Sequence, residues 1–366
     1  MKNVAVFFGG ASVEHDISII TGVLTTNAVD SQKYNVIPIY VDLDGKFYTG
    51  ENLRDLDNFK SLNKKLLKEI TFLLGSNKAY IVKGKKLKPL CEIAVAINCM
   101  HGERGEDGSL AGFLKMLSIP LASPDVLPSA VCMDKCFTKV AMRGLRVKTL
   151  PYVTMSSREG FSGLGGKLKF PVVVKPACLG SSIGIMKAEN VKELERAYSY
   201  AMRYGENAIV EPLLKNFIEI NCGAYRANGK INVSECERPI GRTEFLSFDD
   251  KYRVGKREFP ANIEKEISDK IKAITEKVYE NLCFDGVIRI DYFVVNGEIY
   301  LNEINTVPGS LAYYLFSKTV SDYGKMLNEL IRQAEINFSA RSTLQKRYDT
   351  GILNMKGCKG KNACKK

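Results

Sequence analysis

Apolar residues along this chain come in short dense runs separated by polar, glycine-rich stretches. Residues 2–8 (KNVAVFF), 35–42 (NVIPIYVD) and 92–100 (EIAVAINCM) are of strand length and nearly continuous in apolar character. That is the pattern of strands buried on both faces. GGASVEHD follows the first run and HGERGEDGS the third. Each leads into helical spacing, from Ile17 to about Val29 and at Leu110, Phe113, Leu114 and Leu117. Strand, glycine-rich turn and helix in alternation predict a doubly wound parallel sheet over residues 1–127. Its ligands would sit beyond the carboxyl ends of the strands, where both polar stretches lie. DLDGKFYTG (42–50) reads as a hairpin tip, and the lysine-rich stretch 52–80 carries helical spacing.

A second unit is expected over 128–216. It holds a helix at 129–145, a strand in VKTLPYVTM, a loop GLGGK (163–167), the apolar strand FPVVVKPA, a helix over 191–204 and AIVEPLL. A third unit, 217–340, holds strands at 217–225 and 231–237, a polar loop at 240–260, a helix at 264–282, a hairpin and a closing helix near 322–337. The basic remainder, 341–366, reads as a flexible tail. The class is α/β, with α+β character in the second and third units.

The hairpin, DGVIRIDYFVVNGEIYLNEIN (285–305), carries the densest chemistry. Two strand-like runs flank an Asn296-Gly297 turn signal. Residues two apart in a strand share a face, so Arg289 pairs with Asp291, and Glu303 with Asn305. A two-residue loop would put the two pairs on opposite faces. A three-residue loop with Gly297 left-handed puts all four on one face, and that loop is predicted. Two carboxylates, an amide oxygen and a guanidinium on one face suit Mg2+ bridging nucleotide phosphates. A solvated charged face is the plainer alternative.

Composition is ordinary for a globular chain, 45% hydrophobic and 26% charged over 366 residues, and no run approaches the ~18 apolar residues of a membrane span. The chain opens on a strand without a cleavable signal pattern, so a cytoplasmic location is expected. The ten cysteines are scattered, several inside apolar runs, which reads as reduced thiols. Cys132 and Cys136 lack a second metal-binding pair, so no zinc site is expected. Only two histidines occur, His15 and His101, which favours oxygen ligands and hence Mg2+. Of the net charge of +12, residues 341–366 carry +7, leaving +5 elsewhere. That balance fits a polyanion such as ATP, and nucleic acid is not expected.

Lys175 ends the apolar strand FPVVVKP and needs an anionic partner. GSSIG (180–184) offers backbone N–H groups and the hydroxyls of Ser181 and Ser182, which suits a flap over phosphates. The same letters match a G-x-S-x-G nucleophile elbow. That reading fails because both histidines lie upstream. No G-x-x-x-x-G-K-[ST] loop occurs.

Six segments together resemble the D-alanine–D-alanine ligases of the ATP-grasp superfamily. They are VAVFFGGASVEHDIS (4–18), HGERGEDGSLAGFL (101–114), MDKCFTK (133–139), FPVVVKPACLGSSIGI (170–185), DDKY (249–252) and RID…LNEINTVPG (289–309), in the family's order over residues 4 to about 335. The resemblance implies an ATP-grasp fold that joins two D-alanines through an acyl phosphate, for peptidoglycan precursors. It implies that Lys135 and Lys175 contact ATP phosphates, that Glu211 and Leu214 bind adenine, and that Lys251 neutralises the γ-phosphate. Arg289 would stabilise the transferring phosphoryl group. Asp291, Glu303 and Asn305 would hold two Mg2+ ions, with Mn2+ as an alternative. Glu14 would bind the first D-alanine's ammonium and, with Ser181 and Tyr252, close a lid formed by loop 240–260. His101 and Gly309 would lie near the amino acids. The partners would be ATP and D-alanine, with no membrane contact, in a homodimer. Read singly, Glu14 equally suits a cap on the following helix, Tyr252 a surface tyrosine and His101 a structural histidine.

Two departures stand out. The family usually has Ser-Leu about five residues after the Gly309 position, for the second amino acid's carboxylate, and here Tyr314-Leu315 occupies it. Ser310 offers a substitute hydroxyl. This keeps open another acceptor, such as D-serine, D-lactate or a different amine. The glutamate expected for the ribose hydroxyls has no gapless match, and Glu219 is the candidate.

Overall fold

A computed structural model describes residues 1–158, 160–161, 168–240, 256–345 and 347–351. Lys251, Tyr252, most of the expected lid and residues 352–366 lie outside them. The first sheet takes strands β1 (Lys2–Gly9), β2 (Tyr34–Val41), β3 (Phe47–Thr49), β4 (Lys68–Phe72), β5 (Lys78–Lys83), β6 (Lys86–Glu92) and β7 (Val95–Asn98), in the order β6-β5-β4-β3-β2-β1-β7. Only β2, β1 and β7 run parallel. The rest form an antiparallel meander. The helix expected within 52–80 is therefore absent: short 3-10 turns lead into β4, where Ile70 and Phe72 are buried and Lys68 is exposed. Pairing with β3 and β5 outweighs helical spacing there: Ile70 and Phe72 go to the core, and Lys68, on the same face, reaches water at the strand's end.

Helices α1 (His15–Ala28) and α2 (Ser109–Met116) cover the parallel strands. The segment expected as one helix at 129–145 is two, α3 (Val126–Met133) and α4 (Lys135–Gly144). Asp134 breaks it. Its backbone is extended and its carboxylate accepts from the N–H groups of Cys136 and Phe137, a cap that restarts the helix with Lys135 first.

The second sheet takes β8 (Val153–Ser156), β9 (Val172–Pro176), β10 (Met186–Ala188) and β11 (Asn207–Pro212), backed by α5 (Val191–Ala201). The third takes β12 (Ile218–Ala227), β13 (Lys230–Val233), β16 (Val287–Val295) and β17 (Glu298–Asn305), in the order β13-β12-β16-β17. A small ribbon of β14 (Arg238–Pro239) and β15 (Arg257–Glu258) flanks it. Helix α6 (Lys265–Asn281) and the α3–α4 pair share its core. Helix α7 (Val320–Ser342) joins the first and third sheets: Leu327 and Ile331 share a core with Phe8 and Val23 on one side and Tyr225 and Val287 on the other. No described helix is long and apolar enough to cross a membrane.

Candidate active site

The carboxyl ends of β1 and β7, the 180–184 loop and the face of the third sheet meet around a cavity of about 300 Å3. A narrower cleft adjoins it, sharing Glu219 and Glu303.

The hairpin puts Arg289 opposite Asn305 and Asp291 opposite Glu303, so all four side chains do share a face. The predicted three-residue loop is not the cause. Val295 pairs with Glu298, leaving a two-residue turn with Asn296 and Gly297 both at positive φ, the twist-matched geometry for this dipeptide. A bulge between the Asp291 and Tyr292 pairings, with Asn302 as the extra residue, supplies the missing step.

Arg289 grips Asp291 with two parallel bonds, Nε to Oδ1 at 2.7 Å and Nη2 to Oδ2 at 2.8 Å. Asn305 Nδ2 also donates to Asp291 Oδ2, at 3.1 Å. Burial works against the Arg289 charge, but Asp291 outweighs it and holds the guanidinium well above its ordinary range. Lys135 Nζ lies 3.8 Å from Glu303 Oε2 and donates to Leu179 O at 2.6 Å. Asp291, Glu303 and Asn305, neighbours on one sheet face, offer two carboxylates and an amide oxygen, the set a hard divalent cation takes when phosphate completes its shell. These residues therefore fit Mg2+.

Lys175 lines the narrow cleft with Ser182, Glu219 and Phe293. Its ammonium is 2.7 Å from Glu211 Oε2, while Lys139 is 2.6 Å from Oε1 of the same residue. Burial pushes the Glu211 carboxyl up, yet the two ammonium groups together outweigh it and hold it below its usual value. Both Glu211 oxygens are thus committed to lysines. Neither Glu211 nor Leu214, half-buried after β11, lines either cavity.

Glu14 precedes α1 and makes no side-chain cap. Its carboxylate instead accepts from the Ser181 hydroxyl across the cavity, with both residues buried. A Cβ at Gly180 would stand 3.0 Å from that carboxylate, a tight contact that would make it give by a few tenths of an ångström. Ser181 and Ser182 both take positive φ, an unusual conformation for residues other than glycine.

His101 Nε2 lies 2.9 Å from Thr21 Oγ1, which also accepts from the Ser310 N–H at 3.0 Å. Burial lowers the His101 pKa to about 4, opposed by a hydrogen bond to the Val307 backbone. The ring is neutral at pH 7, hydrogen-bonded to the Val307 backbone and, through Nε2, to Thr21. Its folded value lies below the ordinary 6.5. The associated stability is therefore present above pH 6.5 and is lost as pH falls toward 4, amounting to about 3 kcal/mol. Denaturant melts at pH 8 and pH 5 should differ by about 2 kcal/mol of this, and His101→Gln should flatten the dependence.

Several cavity residues were not anticipated. Glu106, inside the quoted HGERGEDG segment, accepts from the N–H groups of Gly102 and Val307, both at 3.0 Å. Burial, then the neighbouring Glu14 charge, raises its pKa. Asn221 stands beside Asp291 across β12 and bridges on its other side to Glu237, so one row runs Glu237, Asn221, Asp291, Glu303. Asn221 Nδ2 donates to Glu237 Oε2, while its Oδ1 is buried with no partner among the described residues. Arg257, Gly309, Ser310 and Tyr314 complete the wall.

Residues 3–124 match the family model for the D-ala D-ala ligase N-terminus and residues 143–334 that for its C-terminus. A D-alanine--D-alanine ligase from Thermosipho melanesiensis is 34% identical, over 97% of this chain and 99% of its own. The structure of the D-alanine-D-alanine ligase from Coxiella burnetii is similar with a TM-score of 0.80 at 25% identity, covering 93% of this chain and 96% of that one. The VanG D-Ala:D-Ser ligase from Enterococcus faecalis gives 0.77 at 25% identity, with 91% and 99% covered. Two family models in chain order, and a relative matched from end to end, place this chain in the D-alanine–D-alanine ligase family.

Proposed function

We infer that this protein joins two D-alanines, converting ATP to ADP and phosphate. The observation that carries this is one cavity lined by Glu14, Glu106 and Glu303 together with Arg289, next to a cleft lined by Lys135 and Lys175. The first D-alanine seats its ammonium against Glu14. Its carboxylate oxygen attacks the γ-phosphorus of ATP, the bond to the β-phosphate oxygen breaks and ADP leaves. The amine of the second D-alanine then attacks the acyl carbonyl, loses a proton and expels phosphate, leaving the peptide bond. Lys135 and Lys175 hold the phosphates, and Arg289 meets the charge that builds up at each attack. Asp291, Glu303 and Asn305 would hold Mg2+, two ions by the resemblance, which neutralises phosphate charge when bound. Glu219, on the wall shared by cavity and cleft, would bind the ribose, and the hinge after Glu211 would offer backbone for the base. Lys251 and Tyr252 retain their expected roles as part of this proposal.

Because the acyl phosphate hydrolyses readily, water must be excluded, and the Glu14–Ser181 contact already ties the flap to the first sheet. Consumption of ATP supports a cytoplasmic setting, and the resemblance alone supports a homodimer. The deciding experiment combines phosphate release with mass spectrometry of the product, using purified protein, ATP, Mg2+ and D-alanine. D-alanyl-D-alanine is the expected product. Phosphate without dipeptide would move the reading to another acceptor, and no phosphate at all would remove it.

A further inference from the structure

Tyr314, where a smaller hydroxyl residue was expected, does not stand alone. Its hydroxyl oxygen accepts from Arg289 Nη1 at 3.1 Å, and the Arg257 guanidinium carbon lies 4.6 Å from its ring centroid. With its oxygen accepting from Arg289, the phenol has its own proton left to donate. Burial keeps that phenol protonated at neutral pH. Arg257 is fixed twice, by the aromatic face and by a 3.2 Å bond from Nη1 to Glu237 Oε1. Glu237 is only 3% exposed, and its other oxygen is taken by Asn221. The remaining Arg257 N–H groups have no acceptor among the described residues. This side of the cavity therefore offers donors, a phenol O–H and a guanidinium fork. The same cavity is lined by the carboxylates of Glu14, Glu106 and Glu303. A zwitterion in this cavity meets both charges, and its carboxylate pairs with the Arg257 fork while its ammonium pairs with a glutamate.

We propose that Arg257, stacked on Tyr314 and anchored by Glu237, is a specificity-determining residue that binds the α-carboxylate of the second amino acid. The assignment rests on the ligase reading above. It explains why a tyrosine is tolerated where a small hydroxyl residue was expected: the ring is the platform for the guanidinium, and the planar fork matches a carboxylate in a way a lone hydroxyl does not.

The test uses the full-length protein, resolving the KM of each D-alanine and offering D-alaninamide as a carboxylate-free acceptor. Arg257→Met should raise the second KM roughly tenfold or more, the scale of a lost charge-assisted hydrogen bond. The first KM and kcat should stay within about twofold, and Arg257→Lys should recover part of the loss. D-alaninamide should be a poor acceptor for the parent protein and no poorer for Arg257→Met. Tyr314→Leu should raise the second KM as Arg257→Met does, and the double variant should raise it no further than either. An unchanged second KM in Arg257→Met overturns the proposal. An equal rise in Lys256→Met, on the same wall, also overturns it, because general positive charge would then be enough. No dipeptide from the parent protein would instead remove the ligase reading itself.

Discussion

Glu303→Gln should lower kcat by roughly a hundredfold to a thousandfold, the scale seen when one preorganised electrostatic group is removed from a site, while leaving the fold intact. The side chain is partly exposed and directly opposite Asp291. Glutamine keeps its size, so packing changes little, and what disappears is one of the two carboxylates proposed to hold Mg2+. Single-turnover ADP formation gives the rate. Thermal melts with ATP should show that Mg2+ no longer adds to nucleotide stabilisation. A kcat within a few-fold of the parent would exclude the metal role. Arg289→Ala should be equally inactive but less stable, since Asp291 is 1% exposed and would lose its counter-ion.

Glu211→Ala should be the most damaging single change to stability, by about 3–5 kcal/mol. Two lysines, Lys139 at 2% and Lys175 at 8% exposure, converge on that one carboxylate. Removing it leaves two buried ammonium groups without an anion. Urea unfolding gives the difference directly. The pH dependence supplies a second check. The folded carboxyl titrates below its ordinary 4.5, so its contribution is full above pH 4.5 and is lost as pH falls through the folded value. The gap between parent and variant should therefore close in acid. A gap under about 1 kcal/mol at pH 7, no more than a surface ion pair contributes, would mean that the lysines find other partners.

The parallel core of the first sheet and the chemistry of the hairpin were legible because apolar runs and strand periodicity are local. Less visible was whatever depends on two segments meeting. The lysine run at 52–80 spaced its apolar residues as a helix does, and only the neighbouring β3 and β5 decide for a strand. Asp134 is a single letter inside a helical pattern, and its capping geometry splits the helix. Glu211 looked available for a ligand because nothing local says that Lys139, in the helix that Asp134 starts, reaches the same carboxylate. Asn221, Glu237 and Arg257 reach the cavity only because β12 lies beside β16 and the small ribbon folds over it. Glu106 was readable: a second acid sits in a glycine-rich turn already marked as part of the site, and a search for paired carboxylates would have found it.

The extra residue at Asn302 separates the hairpin's two ends. Alignment of the reactive side chains is set below the bulge. The exposed tip at Asn296-Gly297, where a side-chain carbon added to Gly297 would meet nothing within 4 Å, carries no information about the site. A longer loop spliced in there would leave the four polar side chains facing the same way. The tip is a place to attach a fluorophore or an epitope, and lineages can gain or lose residues there without touching the chemistry.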